Sequence, residues 1–118
     1  MEDQRVDGNL ALSRAIGDFQ YKDKEKVHAK DQAVSCYPDV SITKRKKGDK
    51  YIVMACDGIW DCVTNEECCE KVNKKHSEIH PKPAETSKIV ESLFDEILAD
   101  ETEIGIGTDN MTCILIYF

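Results

Sequence analysis

Apolar residues recur along the chain in two rhythms, one of strands and one of helices. Val40 and Ile42 alternate with Ser41 and Thr43 after Pro38-Asp39, the period-2 signature of a half-buried strand. Gly48-Asp49 then turns the chain into Tyr51–Cys56, which is apolar at every position. Strand, turn and strand predict a hairpin, with 51–56 as a central strand covered on both faces. The last segment, Met111–Phe118, is apolar almost throughout and predicts a second internal strand. Residues 10–18 read as a buried strand or short turn ending in a Gly-Asp corner. Residues 21–32 are charged and aperiodic, the mark of a solvated loop.

The helical rhythm appears in the second half. Thr64-Asn65-Glu66-Glu67 matches a capping box, predicting a helix over about 65–75. Pro81 and Pro83 punctuate, and a second helix is predicted over about 84–99. Its Ile89, Val90, Leu93, Phe94, Ile97 and Leu98 form one stripe. The pattern predicts an α+β fold, an antiparallel sheet under at least one long helix, with no repeat and no evident domain boundary. Two fully apolar strands require cover on both faces, and two helices supply one. The chain therefore reads as part of a larger layered fold.

Composition removes several classes of function. The 118 residues, 41% hydrophobic and 33% charged, suit a single small globular core. No apolar run approaches the ~20 residues that span a bilayer, and Ile114–Phe118 reads as a terminal strand. Met1-Glu2-Asp3 has the wrong charge for a signal peptide, so a cytoplasmic or nuclear location is the default. A net charge of −7 argues against nucleic acid as a partner. The one basic cluster, 44–47, precedes Gly48-Asp49 and reads as a solvated turn, with a patch for an acidic partner as the alternative. Six cysteines form no C-x-x-C pair and several lie in apolar stretches, which predicts reduced, mostly buried thiols and no zinc site.

Candidate chemistry rests on two loops beside the apolar strands. Asp57-Gly58-Ile59-Trp60-Asp61 follows directly on the first, where a rigid element holds a carboxylate at the strand end. Gly58 permits an unusual backbone angle and close approach of a ligand, and Trp60 supplies packing that fixes the loop. Asp61 reaches the same point if the loop coils. Gly107-Thr108-Asp109-Asn110 repeats the arrangement before the last strand, and it is not a P-loop, since no Gly-Lys-Ser/Thr follows. Each loop taken alone also reads as a plain turn, with Asp61 as a helix cap. If those two strands lie close together the two carboxylates meet, and such hard oxygen ligands suit Mg²⁺ or Mn²⁺ better than zinc.

Three motifs in order now carry a resemblance: 10–18 (Leu-Ala-Leu-Ser-Arg-Ala-Ile-Gly-Asp), Asp57-Gly58-Ile59-Trp60-Asp61 and Gly107-Thr108-Asp109-Asn110, with Arg5-Val6 and Pro38-Asp39-Val40 in register. The chain resembles the C-terminal part of the catalytic domain of protein phosphatase 2C enzymes over all 118 residues. The resemblance implies a β-sandwich of two antiparallel sheets flanked by helices, holding two or more Mg²⁺ or Mn²⁺ ions. It implies dephosphorylation of phosphoserine and phosphothreonine proteins by metal-activated water. Asp57 and Asp109 would be metal ligands, Asp61 a weaker ligand acting through water, and Asn110 a neighbour ordering the loop. Arg14 and Asp18 are expected to pair locally in a structural role near the site.

The family's N-terminal half is absent, including its Asp-Gly-His-Gly-Gly motif, the phosphate-binding arginine and the proposed general-acid histidine. No catalytic residue is therefore assigned within this chain, which by itself is expected to be inactive. A truncated, pseudophosphatase-like module that acts by binding is the alternative. An unrelated calcium-binding domain lacks the EF-hand spacing.

Overall fold

The computed structural model describes residues 5–79, 85–101 and 105–118. Strand β1 (Tyr51–Ala55) runs into the one-turn helix α1 (Asp57–Trp60), followed by α2 (Asn65–Ile79), α3 (Ser87–Ile97) and strand β2 (Cys113–Tyr117). The chain divides into two compact units, Met1–Lys44 and Arg45–Phe118.

In the second unit, β1 and β2 form a two-stranded antiparallel sheet, with Tyr51 opposite Tyr117 and Ala55 opposite Cys113. The predicted hairpin through Gly48-Asp49 is therefore corrected: β1 pairs with the last strand of the chain. The turn itself forms, closed by the Lys46 amide on Asp49 Oδ2 at 2.7 Å and the Asp49 amide on the Lys46 carbonyl at 3.1 Å. Residues 40–43 are not a strand; Val40 is 78% and Ile42 95% exposed. A period-2 pattern becomes a strand only when a ladder partner takes up its backbone groups, and among the described residues none does.

The sheet is covered on one face. Tyr51, Val53, Leu115 and Tyr117 pack against a core of Ile59, Val63, Cys68, Val72, Ile89 and Leu93. Ile52, Met54, Ile114 and Ile116 point the other way and are exposed. The uniform apolar character of both strands thus exceeds what this chain buries. Burial in β1 and β2 alternates, whereas the sequence predicts cover on both faces.

Both longer helices follow the sequence pattern. At the start of α2, Thr64 Oγ1 accepts from the Glu67 amide at 3.2 Å while Glu67 Oε2 accepts from the Thr64 amide at 2.8 Å, a complete capping box. The helix runs four residues beyond the expected Lys75, to Ile79. Its last turns are held to α3 by Lys71 and Lys75, whose ammonium groups lie 2.9 and 2.7 Å from the Glu96 carboxylate. On α3, Ile89 and Leu93 are fully buried, Val90, Phe94 and Ile97 half-buried. Leu98, expected within the helix, is its exposed C-cap in extended backbone. The expected start at Ala84, with Pro81 and Pro83, falls outside the described residues.

The first unit is built from turns. Residues 10–18 are not a buried strand: Leu12 is half exposed and Ile16 is 97% exposed. They are tied to 35 by a single parallel bridge, with the Ser35 amide donating to Ser13 O and the Ala15 amide to Ser35 O. The expected Gly-Asp corner is present, Gly17 at φ 84° and Asp18 at φ 50° both left-handed. Lys22 closes it by donating from Nζ to the carbonyls of Ala15 (2.6 Å) and Gly17. Two short 3-10 turns, Phe19–Tyr21 and Ala29–Asp31, interrupt the predicted solvated loop, and Tyr21 and Val34 are buried. Arg14 pairs with Asp39 at 2.9 Å and not with Asp18. The left-handed turn at 17–18 breaks the helical spacing that a pair four residues apart requires.

Candidate metal site at the open end of the sheet

Where β1 ends, the main chain turns immediately into α1. The Cys56 carbonyl accepts from the amides of Ile59 and Trp60, and the Asp61 amide donates to the Asp57 carbonyl at 2.8 Å. The segment does coil, which sets Asp57 and Asp61 one helical turn apart, both exposed. Two side chains lock this turn. Ile59 is wholly buried in the core, a contribution of about 1.5–3 kcal/mol for a side chain of this size. Trp60, 36% exposed, fixes the loop with its indole N–H on the Ala55 carbonyl at 2.9 Å. Asp61 is the C-cap of α1 through its backbone amide, and Thr64 caps the start of α2.

The second loop is anchored from the other side. Gly107, at φ 86°, is buried against the end of α3, where an added Cβ would lie 2.3 Å from the Ile97 carbonyl oxygen. Its own carbonyl accepts from the Ala99 amide at 3.0 Å. Thr108 Oγ1 donates to Gly105 O at 2.8 Å, and the Asn110 amide donates to Asp109 Oδ1 at 2.7 Å. Asp109 itself is exposed.

The two loops meet. An added Cβ on Gly58 would lie 2.3 Å from the main-chain oxygen of Asn110 and 3.5 Å from Met111 Cγ. The need for glycine is thus close approach to a neighbouring backbone; its φ is not left-handed, in contrast to the unusual angle expected from sequence. Cys56 Sγ donates to the same Asn110 oxygen at 3.3 Å. Asp57 and Asp109 thus lie on adjoining loops beyond the Ala55–Cys113 end of the ladder.

The donor set suits a hard cation in part. Asp57 Oδ1 accepts from the Gly58 amide at 3.0 Å and Asp109 Oδ1 from the Asn110 amide, which leaves the second oxygen of each carboxylate without a hydrogen bond among the described residues. Exposed carboxylates of this kind are ordinary Mg²⁺ or Mn²⁺ ligands. Among the described residues, however, no three His, Cys, Asp or Glu side chains gather closely enough to hold an ion. An octahedral ion takes more oxygen ligands than these two loops offer.

Two contributors escaped the sequence. Cys56 reads there as one more apolar strand residue, and Gly107 as one more turn glycine. The signal that finds both is register: once β1 and β2 pair, the residues just past their ends must face one another. The thiols as a group are less buried than expected, with only Cys68 buried, Cys36 and Cys69 exposed, and the other three half-buried. No helix among the described residues is long and apolar enough to cross a membrane.

A family model described as Protein phosphatase 2C matches residues 1–105. Protein phosphatase 2C 1 of Paramecium tetraurelia is 39% identical over 117 residues, covering 99% of this chain and 39% of its own length. Probable protein phosphatase 2C 6 of the same organism is 37% identical over all 118 residues. Protein phosphatase 2C homolog 2 of Hypocrea jecorina (strain QM6a) is 41% identical over 115 residues, 97% of this chain and 25% of the relative. The chain thus spans between a quarter and two fifths of the length of these relatives, and the alignments with the Paramecium proteins take in both aspartate loops. With its three motifs in order and a match over most of its length, the chain belongs to the protein phosphatase 2C family.

Proposed function

We propose that residues 1–118 are the C-terminal portion of a metal-dependent phosphatase domain acting on phosphoserine and phosphothreonine proteins. In this reading Asp57 and Asp109 each give a carboxylate oxygen to a Mg²⁺ or Mn²⁺ ion, and Asp61 contributes more weakly through water. The observation that carries it is the contact between Gly58 and the Asn110 carbonyl, which joins the two aspartate loops at one end of the ladder. The remaining ligands of a site with two or more ions, and the groups that touch the phosphate, come from a segment outside this chain. Such ions supply activation of water and neutralisation of phosphate charge. The chain's own part is to present two carboxylates from rigid loops, with Ile59 and Gly107 as anchors. No catalytic residue is assigned here.

The exposed apolar face of Ile52, Met54, Ile114 and Ile116 supports a second sheet packed across it, giving a sandwich of two antiparallel sheets in the complete domain. The net charge of −7 keeps nucleic acid out of this reading, and the cysteine spacing favours a cytoplasmic or nuclear setting. Hydrolysis of a phosphothreonine peptide by the parent protein, with Mn²⁺ and with a chelator, tests the reading. Metal-dependent release of phosphate is expected from the parent and essentially none from residues 1–118. A parent inert under every metal condition would favour the non-catalytic, binding module.

A further inference from the structure

The bond pattern just past the ladder contains an irregularity that one side chain repairs. The Cys56 amide donates to the Thr112 carbonyl at 3.1 Å, as a continuing ladder requires. The Cys56 carbonyl does not take the return bond; it accepts from the Ile59 and Trp60 amides that open α1. The Thr112 amide donates instead to Cys56 Sγ at 3.2 Å, and that sulfur donates its proton to the Asn110 carbonyl at 3.3 Å. Cys56 immediately precedes Asp57, and Asn110 immediately follows Asp109. One thiol therefore accepts from one residue of the second loop and donates to another, while its own backbone starts the first.

We infer that Cys56 is a positioning residue whose thiol sets the spacing of the Asp57 and Asp109 loops for a shared divalent cation. The inference rests on the metal reading above and adds the group that holds the two ligands in register. Gly58 and Cys56 act on the same oxygen for different ends: Gly58 allows the loops to touch, and the thiol holds them there. A sulfur suits the place because its bonds are long, at 3.2 and 3.3 Å, and it both donates and accepts. Cys113, which stands opposite Ala55, makes no such hydrogen bond among the described residues.

The test is a Mn²⁺ titration of the parent protein, followed by paramagnetic broadening of backbone amide signals. In the wild type the Gly58 and Asn110 signals should broaden together with one midpoint. Cys56→Ala should raise that midpoint about threefold to tenfold, the scale of two modest hydrogen bonds, and separate the two signals. Cys56→Ser keeps a donor and an acceptor and should restore joint broadening, which a merely space-filling role would not. If Cys56→Ala does not fold, Cys56→Val retains apolar bulk without the donor and gives the same comparison. Joint broadening unchanged in the Ala or Val variant would overturn the positioning role. Asp57→Asn and Asp109→Asn separate the two levels. If both leave broadening intact, the metal reading fails and the inference falls with it; if both abolish it while Cys56→Ala does not, only the inference falls.

Discussion

The α-carbon of Gly58 faces the main-chain oxygen of Asn110 so closely that a methyl group there would lie 2.3 Å from it. Backbone cannot yield as a flexible side chain would, so the contact fixes the spacing of two loops that are more than fifty residues apart in sequence. Gly58→Ala gains up to about 1 kcal/mol of helix propensity in α1. It also incurs the overpacking penalty of a crowded site, typically about 1–3 kcal/mol. The net expectation is a lower denaturant midpoint together with faster amide exchange at Asn110 and Thr112. An unchanged midpoint with unchanged exchange would mean that the loops do not touch.

The capping box at the head of α2 is fully formed, and both of its partners are exposed. Thr64→Ala should lower stability by about 1 kcal/mol, the usual cost of losing an N-cap. Thr64→Ser, which keeps the hydroxyl, should stay close to wild type in the same urea titration.

Leu93 is fully buried in the core that carries the sheet. Leu93→Ala should cost about 2–5 kcal/mol by creating a cavity. If the change in thermal midpoint is near that of an exposed substitution such as Lys74→Ala, the assignment of the core is wrong.

Acid should weaken the seam between α2 and α3. Bonds from the Lys75 and then the Lys71 ammonium groups draw the Glu96 carboxyl down to about 2 from an ordinary 4.5. The folded value is depressed, so the contribution of this group is complete above the unfolded value. It is lost as the pH falls from there toward 2. Glu96→Gln should therefore flatten the fall in stability over that window in pH-dependent denaturation. The effect should be modest, because the pair stands partly in solvent and is screened. Equal acid sensitivity in the two proteins would remove Glu96 from the seam.

Local grammar was legible in the sequence and long-range pairing was not. Thr64 and Glu67 announce a cap because both partners lie within one turn, and the Ile89–Leu93 stripe announces a buried face because helical periodicity is local. The Tyr51–Tyr117 pairing carries no local signal, so the nearer segment around Val40 and Ile42 looked like the natural partner. Tyr51–Ala55 and Cys113–Tyr117 are apolar at nearly every position, which correctly marks strands yet overstates how much of them this chain covers. Asp57 and Asp109 were identifiable as loop carboxylates beside strands. The means of their juxtaposition, Cys56 and Gly58 on the Asn110 carbonyl, depends on register and emerges only from the fold.

Binding of one metal centre by Asp57 and Asp109, as proposed, is measured by calorimetric Mn²⁺ titration of the parent protein. Wild type is compared with Asp57→Asn and Asp109→Asn. Each substitution retains shape and removes the charge, so each should weaken Mn²⁺ binding by at least about tenfold, as expected when a charged ligand loses its partner. Asp61→Asn should have a smaller effect. Full Mn²⁺ affinity in both Asp57→Asn and Asp109→Asn would remove the two residues from the metal shell and return them to ordinary turns.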